Sequence, residues 1–221
     1  MVAVTDPAAG APSSSDTRRS GEQVGLDRVN AFSDGVYAIA ITLLVLELSV
    51  PEGPASIFSA LAEQWQEFLG YLISFGFIGG SWLTHARMTR LMKRADGTVG
   101  GLNLLVLLFV AILPFTTSLM VVNLSGEAVA GAVVVYGANV LVASLALSSL
   151  LLYIGRERWL LVDDLADDLL AAMVRARWIA IGVNVVALAI AFVAPMIAVG
   201  LYLVVTLLVL LLPLVGLRRR Q

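Results

Sequence analysis

The 221-residue chain has no cysteine, a single histidine and few charges, Asp, Glu, Lys and Arg together making up 14% of it. Without cysteine, disulfides, thiolate metal sites and thiol catalysis are excluded together. One histidine leaves carboxylates as the only other metal ligands, which argues against zinc chemistry. With 14 Lys+Arg against 16 Asp+Glu the formal net charge is −2, so no basic face is available for a nucleic-acid backbone. What fills the chain instead is apolar: 59% of its residues, with a mean hydropathy of +0.93. A soluble domain carries roughly 45–50% apolar and about 25% charged residues, so the surplus here is expected to face lipid. The chain reads as an all-α integral membrane protein.

A hydrocarbon core ~30 Å thick takes about 20 largely apolar residues to cross. Six segments qualify, at 29–50, 64–84, 99–122, 128–154, 178–194 and 196–217. Only Pro195 and its neighbours divide the last two, but their combined run is too long for one span and proline stops a helix, so a tight hairpin is expected. Residues 1–25 are rich in Ala, Gly, Pro and Ser and read as a disordered tail, residues 26–217 as the six-helix membrane domain, and residues 218–221 as a basic tail. No basic start, apolar stretch and cleavage site occur in that order before Phe32, so processing is not expected.

Positive residues mark the cytoplasmic ends of spans. Arg18, Arg19 and Arg28 precede the first; Arg87, Arg90, Lys93 and Arg94 follow the second; Arg156, Arg158, Arg175 and Arg177 follow the fourth; Arg218, Arg219 and Arg220 close the chain. Under six spans all of these fall on one side, while Glu52, Glu63, Glu67 and Glu127 fall on the other. Both termini are therefore predicted to be cytoplasmic. Five or seven spans would scatter the basic residues over both sides. In the second span Gly76 and Gly80 form a small-residue face suited to close helix packing. In the third, Pro114 is followed by Thr116, Thr117 and Ser118, whose hydroxyls can satisfy backbone groups freed by a proline kink.

The first span carries the unusual chemistry. Asp34 lies one turn into it, and an intramembrane carboxylate needs a partner; Arg28 and His85, at similar predicted depth, are the candidates. At 100° per residue Ile39, Leu43 and Leu46 form a stripe with Thr42 on its flank, and Asp34 points roughly 140° away from Ile39. Two faces with two tasks follow: one fixed to neighbours by polar bonds, the other meeting lipid or a pore. Asp34 with His85 is either a structural hydrogen-bonded pair or a site of proton relay or coordination.

Arg28-x-x-x-Phe32-Ser33-Asp34, the continuation of that helix to Glu47, and Trp82-Leu83-Thr84-His85 together resemble the transmembrane protein 175 family of potassium channels, known in bacteria and lysosomes. The resemblance implies a homotetramer in a bacterial plasma membrane, conducting potassium and other monovalent cations passively, without a cofactor, through a central pore lined by the first helix. It implies a hydrophobic constriction at Ile39 with apolar layers at Leu43 and Leu46, a potassium-preferring hydroxyl layer at Thr42, and a polar network of Arg28, Phe32, Ser33, Asp34, Trp82 and His85. No Thr-Val-Gly-Tyr-Gly segment is present, so the carbonyl filter of ordinary potassium channels is absent and the expected selectivity is modest. Glu47, within about 40° of Leu43 on the helical wheel, is placed to form an outer cation-attracting ring or an interfacial hydrogen bond.

Two other classes compete. Asp163-Asp164-Leu165-Ala166-Asp167 reads DDxxD, a magnesium-diphosphate pattern of membrane prenyltransferases, but no second aspartate cluster accompanies it. Helical spacing of Val162, Leu165 and Leu169 makes those aspartates, with Asp168, the solvated face of a short cytoplasmic helix. A proton-coupled transporter using Asp34 and His85 would show internal repeats, and no second Phe-Ser-Asp occurs.

Overall fold

A computed structural model describes residues 25–48, 57–163 and 167–218 of the protein. The apolar runs fold as helices: α1 Leu26–Val45, a short α2 Ile57–Glu63, α3 Trp65–Arg90, α4 Gly97–Val122, α5 Val129–Arg156, α6 Asp167–Ala191 and α7 Pro195–Arg218. Among the described residues there is no strand, only an isolated bridge between Met92 and Leu161. Helices α1, α4, α5 and α6 are long and apolar enough to cross a membrane, and α7 is apolar over Pro195–Leu211. Helix α3 has the length, 26 residues, with a more polar composition. The expected N-terminal tail, the far end of the first span with Glu52, the middle of the aspartate run and the last three residues lie outside the described residues.

Two helix starts have a visible local cause. Asp96, in extended backbone, accepts from the Val99 amide at 2.8 Å and caps α4. Its other oxygen accepts from the Tyr153 hydroxyl at 2.6 Å, tying the start of α4 to the end of α5. Pro195 opens α7, where its missing N–H is no loss, after a turn in which the Ala194 amide bonds to the Ile190 carbonyl at 2.8 Å. The expected hairpin is thus present.

The aspartate run departs from expectation. Asp167 and Asp168 occupy the first turn of α6, which continues unbroken to Ala191, so the short helix and the fifth span are one element. Carboxylates there face the positive end of the helix dipole. Asp167 pairs with Arg158 at 2.7 Å. Asp163 precedes the helix and pairs with Lys93, whose ammonium holds the carboxyl below the usual range. That ion pair joins backbone bonds from Lys93 to Leu160 and from Val162 to Leu91, both 2.9 Å, and clamps the α3–α4 and α5–α6 connections together. Among the described residues no cluster of metal-ligating side chains forms.

In lipid, helices gain little from burying apolar surface against one another, so close packing and interhelical hydrogen bonds hold a bundle together. Both are present. A Cβ on Gly76 would lie 2.2 Å from Thr206 Cγ2, and one on Gly80 3.1 Å from Val209, so the expected glycine face seats α3 against α7. The Thr206 hydroxyl donates across that seam to the Ile73 carbonyl at 3.1 Å. Lone amides join other pairs: Asn139 donates to Thr116 and to the Phe109 carbonyl on α4, and Asn184 to Ser144 on α5. The hydroxyls after Pro114 turn back to the Leu113 carbonyl and also reach across, Thr117 meeting Ser74 at 2.7 Å.

Candidate functional site

Helix α1 packs on α3 and α4 through one stripe, Val29, Ser33, Tyr37, Ala40 and Leu44, all buried. The i, i+4 and i+3 steps keep these five on one side of the helix. Leu26, Val36 and Ile41 flank that stripe, partly buried against the core, and the opposite face is exposed.

On the buried side a polar chain fixes the helix. The Ser33 hydroxyl donates to the Val29 carbonyl at 2.7 Å and receives the Asn103 amide at 2.9 Å. The Asn103 oxygen meets His85 Nε2 at 2.8 Å, so one asparagine of α4 joins α1 to α3. One turn along, the Tyr37 hydroxyl and Ser81 lie 3.0 Å apart, and the Tyr37 ring tilts over His85 at 5.9 Å. In this arrangement Nε2 carries the proton and Asn103 Oδ1 accepts it, leaving the amide N–H to donate to Ser33.

The expected network is therefore split in two. His85 and Ser33 belong to the buried chain, which runs through Asn103, a residue the sequence reading did not select. Asp34 lies on the exposed side of α1 and accepts from Trp82 Nε1 at 2.8 Å. The expected partner for Asp34 is Arg28 or His85; its hydrogen bond comes instead from Trp82, one turn before His85 on α3 and toward its exposed edge, while His85 is buried and engaged with Asn103. Arg28 is exposed and forms no ion pair among the described residues, and Phe32 is exposed as well. The asparagine had a signal in the sequence: it is the only amide in an otherwise aliphatic stretch of the third span.

The bare side holds the stripe. Ile39 is 60% exposed and Leu46 77%, with Leu43 and Thr42 exposed between them and Gly35 open to space. The Thr42 hydroxyl donates to the Ile39 carbonyl at 2.9 Å, so it rides on the stripe rather than reaching another helix. Leu46 and exposed Glu47 lie just past α1 in a turn closed by amides bonding to the Leu43 and Leu44 carbonyls at 3.1 and 3.3 Å.

Comparison with known proteins places this geometry. Residues 28–114, from Arg28 to Pro114, match the family model described as endosomal/lysosomal potassium channel TMEM175. The chain is 45% identical over 95 residues to a potassium channel of Streptomyces collinus, a match taking in 42% of this chain and about half, 46%, of that protein. It is 30% identical over 183 residues to a potassium channel of a Chryseobacterium species, covering 81% of this chain and 90% of that one. Vertebrate relatives carry the name endosomal/lysosomal proton channel. A crystal structure of a lysosomal potassium-selective channel TMEM175 homologue from Chamaesiphon minutus superposes with a TM-score of 0.75 at 30% identity, over 84% of this chain and 96% of that one. The matched segment contains α1 from Arg28 onward, both parts of its polar anchor and the stripe, and the structural likeness extends over 84% of the chain. By both measures the chain belongs to the TMEM175 family, whose members are channels and not enzymes.

Proposed function

We propose that this protein is a passive potassium-permeable cation channel of a bacterial plasma membrane, four copies surrounding a pore lined by the bare face of α1. The observation that carries the reading is the asymmetry of α1. A helix held on one side by a buried polar chain presents Ile39, Leu43 and Leu46 on the other with no partner in its own chain. Six spans with both termini in the cytoplasm put every basic residue on one side of the membrane, which is the sense of the positive-inside rule.

In that arrangement Ile39 forms the narrowest apolar ring, Leu43 and Leu46 extend it, and conduction follows wetting of the constriction. Thr42 supplies hydroxyls beside it and Glu47 an acidic ring near the wider end. With side chains rather than a carbonyl cage lining the path, preference for potassium over sodium is modest.

The test is current across a planar bilayer with potassium opposed to sodium, followed by a proton gradient alone. Reversal toward the potassium potential supports the reading, and Ile39→Asn, which hydrates the constriction, should raise the current severalfold. Reversal at the proton potential, or saturable uptake driven by protons, would replace it with a proton pathway. Silence of both the parent and Ile39→Asn in folded, inserted protein would overturn it.

A further inference from the structure

A half-open cavity of about 830 Å³ is walled by α3, α5, α6 and α7, and Ser81 on its wall also meets Tyr37 of α1. Its volume falls in the ~300–1,000 Å³ range of small-molecule sites. From Arg87 to Ile73 the lining follows α3 for about 21 Å at 1.5 Å rise per residue. That exceeds the ~15 Å depth of one leaflet's hydrocarbon. Most of the wall is aliphatic or aromatic, with Ile73, Phe77, Leu147 and Val183 among it.

The two ends differ. At one stand two arginines, Arg87 of α3 and Arg177 of α6. Arg177 donates through Nε to the Ser148 hydroxyl at 3.0 Å and through Nη2 to the Ser144 carbonyl at 2.7 Å. Both acceptors are neutral. The ion pairs among the described residues, Lys93–Asp163 and Arg158–Asp167, lie elsewhere, so this guanidinium has no counter-charge. A guanidinium carries five N–H donors, and an unpaired one between membrane helices is expensive. Deeper along the wall Tyr202, 5% exposed, packs its hydroxyl against Gly137 of α5.

Two cations at a mouth and a long apolar wall behind them describe the complement of an anionic amphiphile. We propose that the cavity is a binding site for an anionic phospholipid, its phosphate on Arg87 and Arg177 and one acyl chain along α3 toward Tyr202. Charge complementarity selects the head: the phosphate supplies the anion that Arg177 lacks and accepts several of its free N–H groups in a fork geometry. The apolar wall selects the tail, since a free phosphate would gain nothing from it. The proposal rests on membrane embedding and not on conduction.

The full chain in phosphatidylcholine nanodiscs, with and without phosphatidylglycerol, tests this by native mass spectrometry and by thermal unfolding. Phosphatidylglycerol should be retained in preference to phosphatidylcholine and should raise the unfolding temperature. Arg177→Gln should weaken retention roughly tenfold, the loss of one charge-assisted hydrogen bond. Arg87→Gln, at an exposed position that folding tolerates, should weaken it about threefold, a single rim ion pair. Ala180→Phe, which narrows the cavity with the arginines intact, should weaken the preference. Inorganic phosphate giving the same shift as the lipid would overturn the proposal in favour of a small-anion site. Equal retention of both lipids, or a preference undiminished by Arg87→Gln and Ala180→Phe, would also overturn it. Because no current is recorded, a failure here is separable from failure of the channel reading.

Discussion

Gly76 offers the sharpest test of how the bundle is held. Replacing it with alanine would set a Cβ 2.2 Å from Thr206 Cγ2 and 2.9 Å from its Oγ1, far inside the ~3.5–4.0 Å of a favourable carbon contact. Thr206 is β-branched and stiff at χ1, and its hydroxyl is engaged with the Ile73 carbonyl, so it can yield only by losing that bond or by pushing α7 away from α3. Overpacking of this kind costs about 1–3 kcal/mol and the lost bond about 0.5–1.5 kcal/mol more, giving roughly 2–4 kcal/mol in all. Gly79→Ala is the control, since a Cβ there meets nothing within 4 Å and alanine is the better helix former. Thermal unfolding in detergent, followed by tryptophan fluorescence, should show a large fall for Gly76→Ala and none for Gly79→Ala. Thr206→Ala removes both the Cγ2 and the Oγ1 from the seam, so the double variant Gly76→Ala/Thr206→Ala should be more stable than the two single effects added together. Equal behaviour of the two glycine variants, or strict additivity with Thr206→Ala, would refute the close-packed seam.

The other predictions concern the anchor and the clamp. Asn103→Leu leaves His85 and Ser33 buried without their shared partner and should lower stability by about 1–3 kcal/mol. Trp82→Phe, which removes only the exposed bond to Asp34, should cost well under that, and the reverse order by chemical unfolding would contradict the division into two groups. Asp163, its carboxyl held low by Lys93, contributes stability that is complete above its unfolded value near ~3.9 and is lost as pH falls through the lower folded value. Amide protection around Met92 and Leu161 should therefore be flat from pH 7 to 5 and decline only in stronger acid, and Lys93→Ala should lower protection at neutral pH and remove that acid decline. A decline centred at neutral pH would assign the clamp to another group.

Much of this architecture was legible in the pattern of residues, and the exceptions have physical causes. The Pro195 hairpin and the glycine seam are local: one depends on a missing N–H, the other on a missing side chain, and both are written in single residues. The start of α6 is different. Hydropathy marks where a chain prefers lipid, so the reading halted at Arg175 and Arg177, whereas a helix needs only backbone bonds and tolerates acidic residues in its first turn. The helix accordingly begins at Asp167, and Arg177 stands against α5 instead of in a loop. The polar anchor was half legible. Its members on α1 and α3 sit in a recognisable pattern, but which of them meet depends on rotation of α3 about its axis, and the bridging Asn103 comes from a third helix. Asn103, Asn139 and Asn184 each interrupt an apolar run and each cross to another helix, so a lone mid-span amide was the signal available.

The anchor also divides α1 along its length. Every interhelical hydrogen bond from the buried face of α1 falls between Ser33 and Tyr37, while beyond it Ala40 and Leu44 are held by apolar contact alone. Ile39 lies just past the last anchored residue, Leu43 a turn further, and Leu46 outside the helix altogether. Hydrogen bonds fix direction as well as distance, whereas apolar packing in a membrane competes with lipid tails of equal apolarity. A displacement of α1 against α3 and α4, were one to occur, would pivot near Tyr37 and grow toward Leu46. Side chains of the stripe would then move unequally, Ile39 least and Leu46 most, so the residue nearest the anchor is the one whose position the fold defines best. That is where a constriction must sit if its width is to be set by the protein rather than by the surrounding lipid.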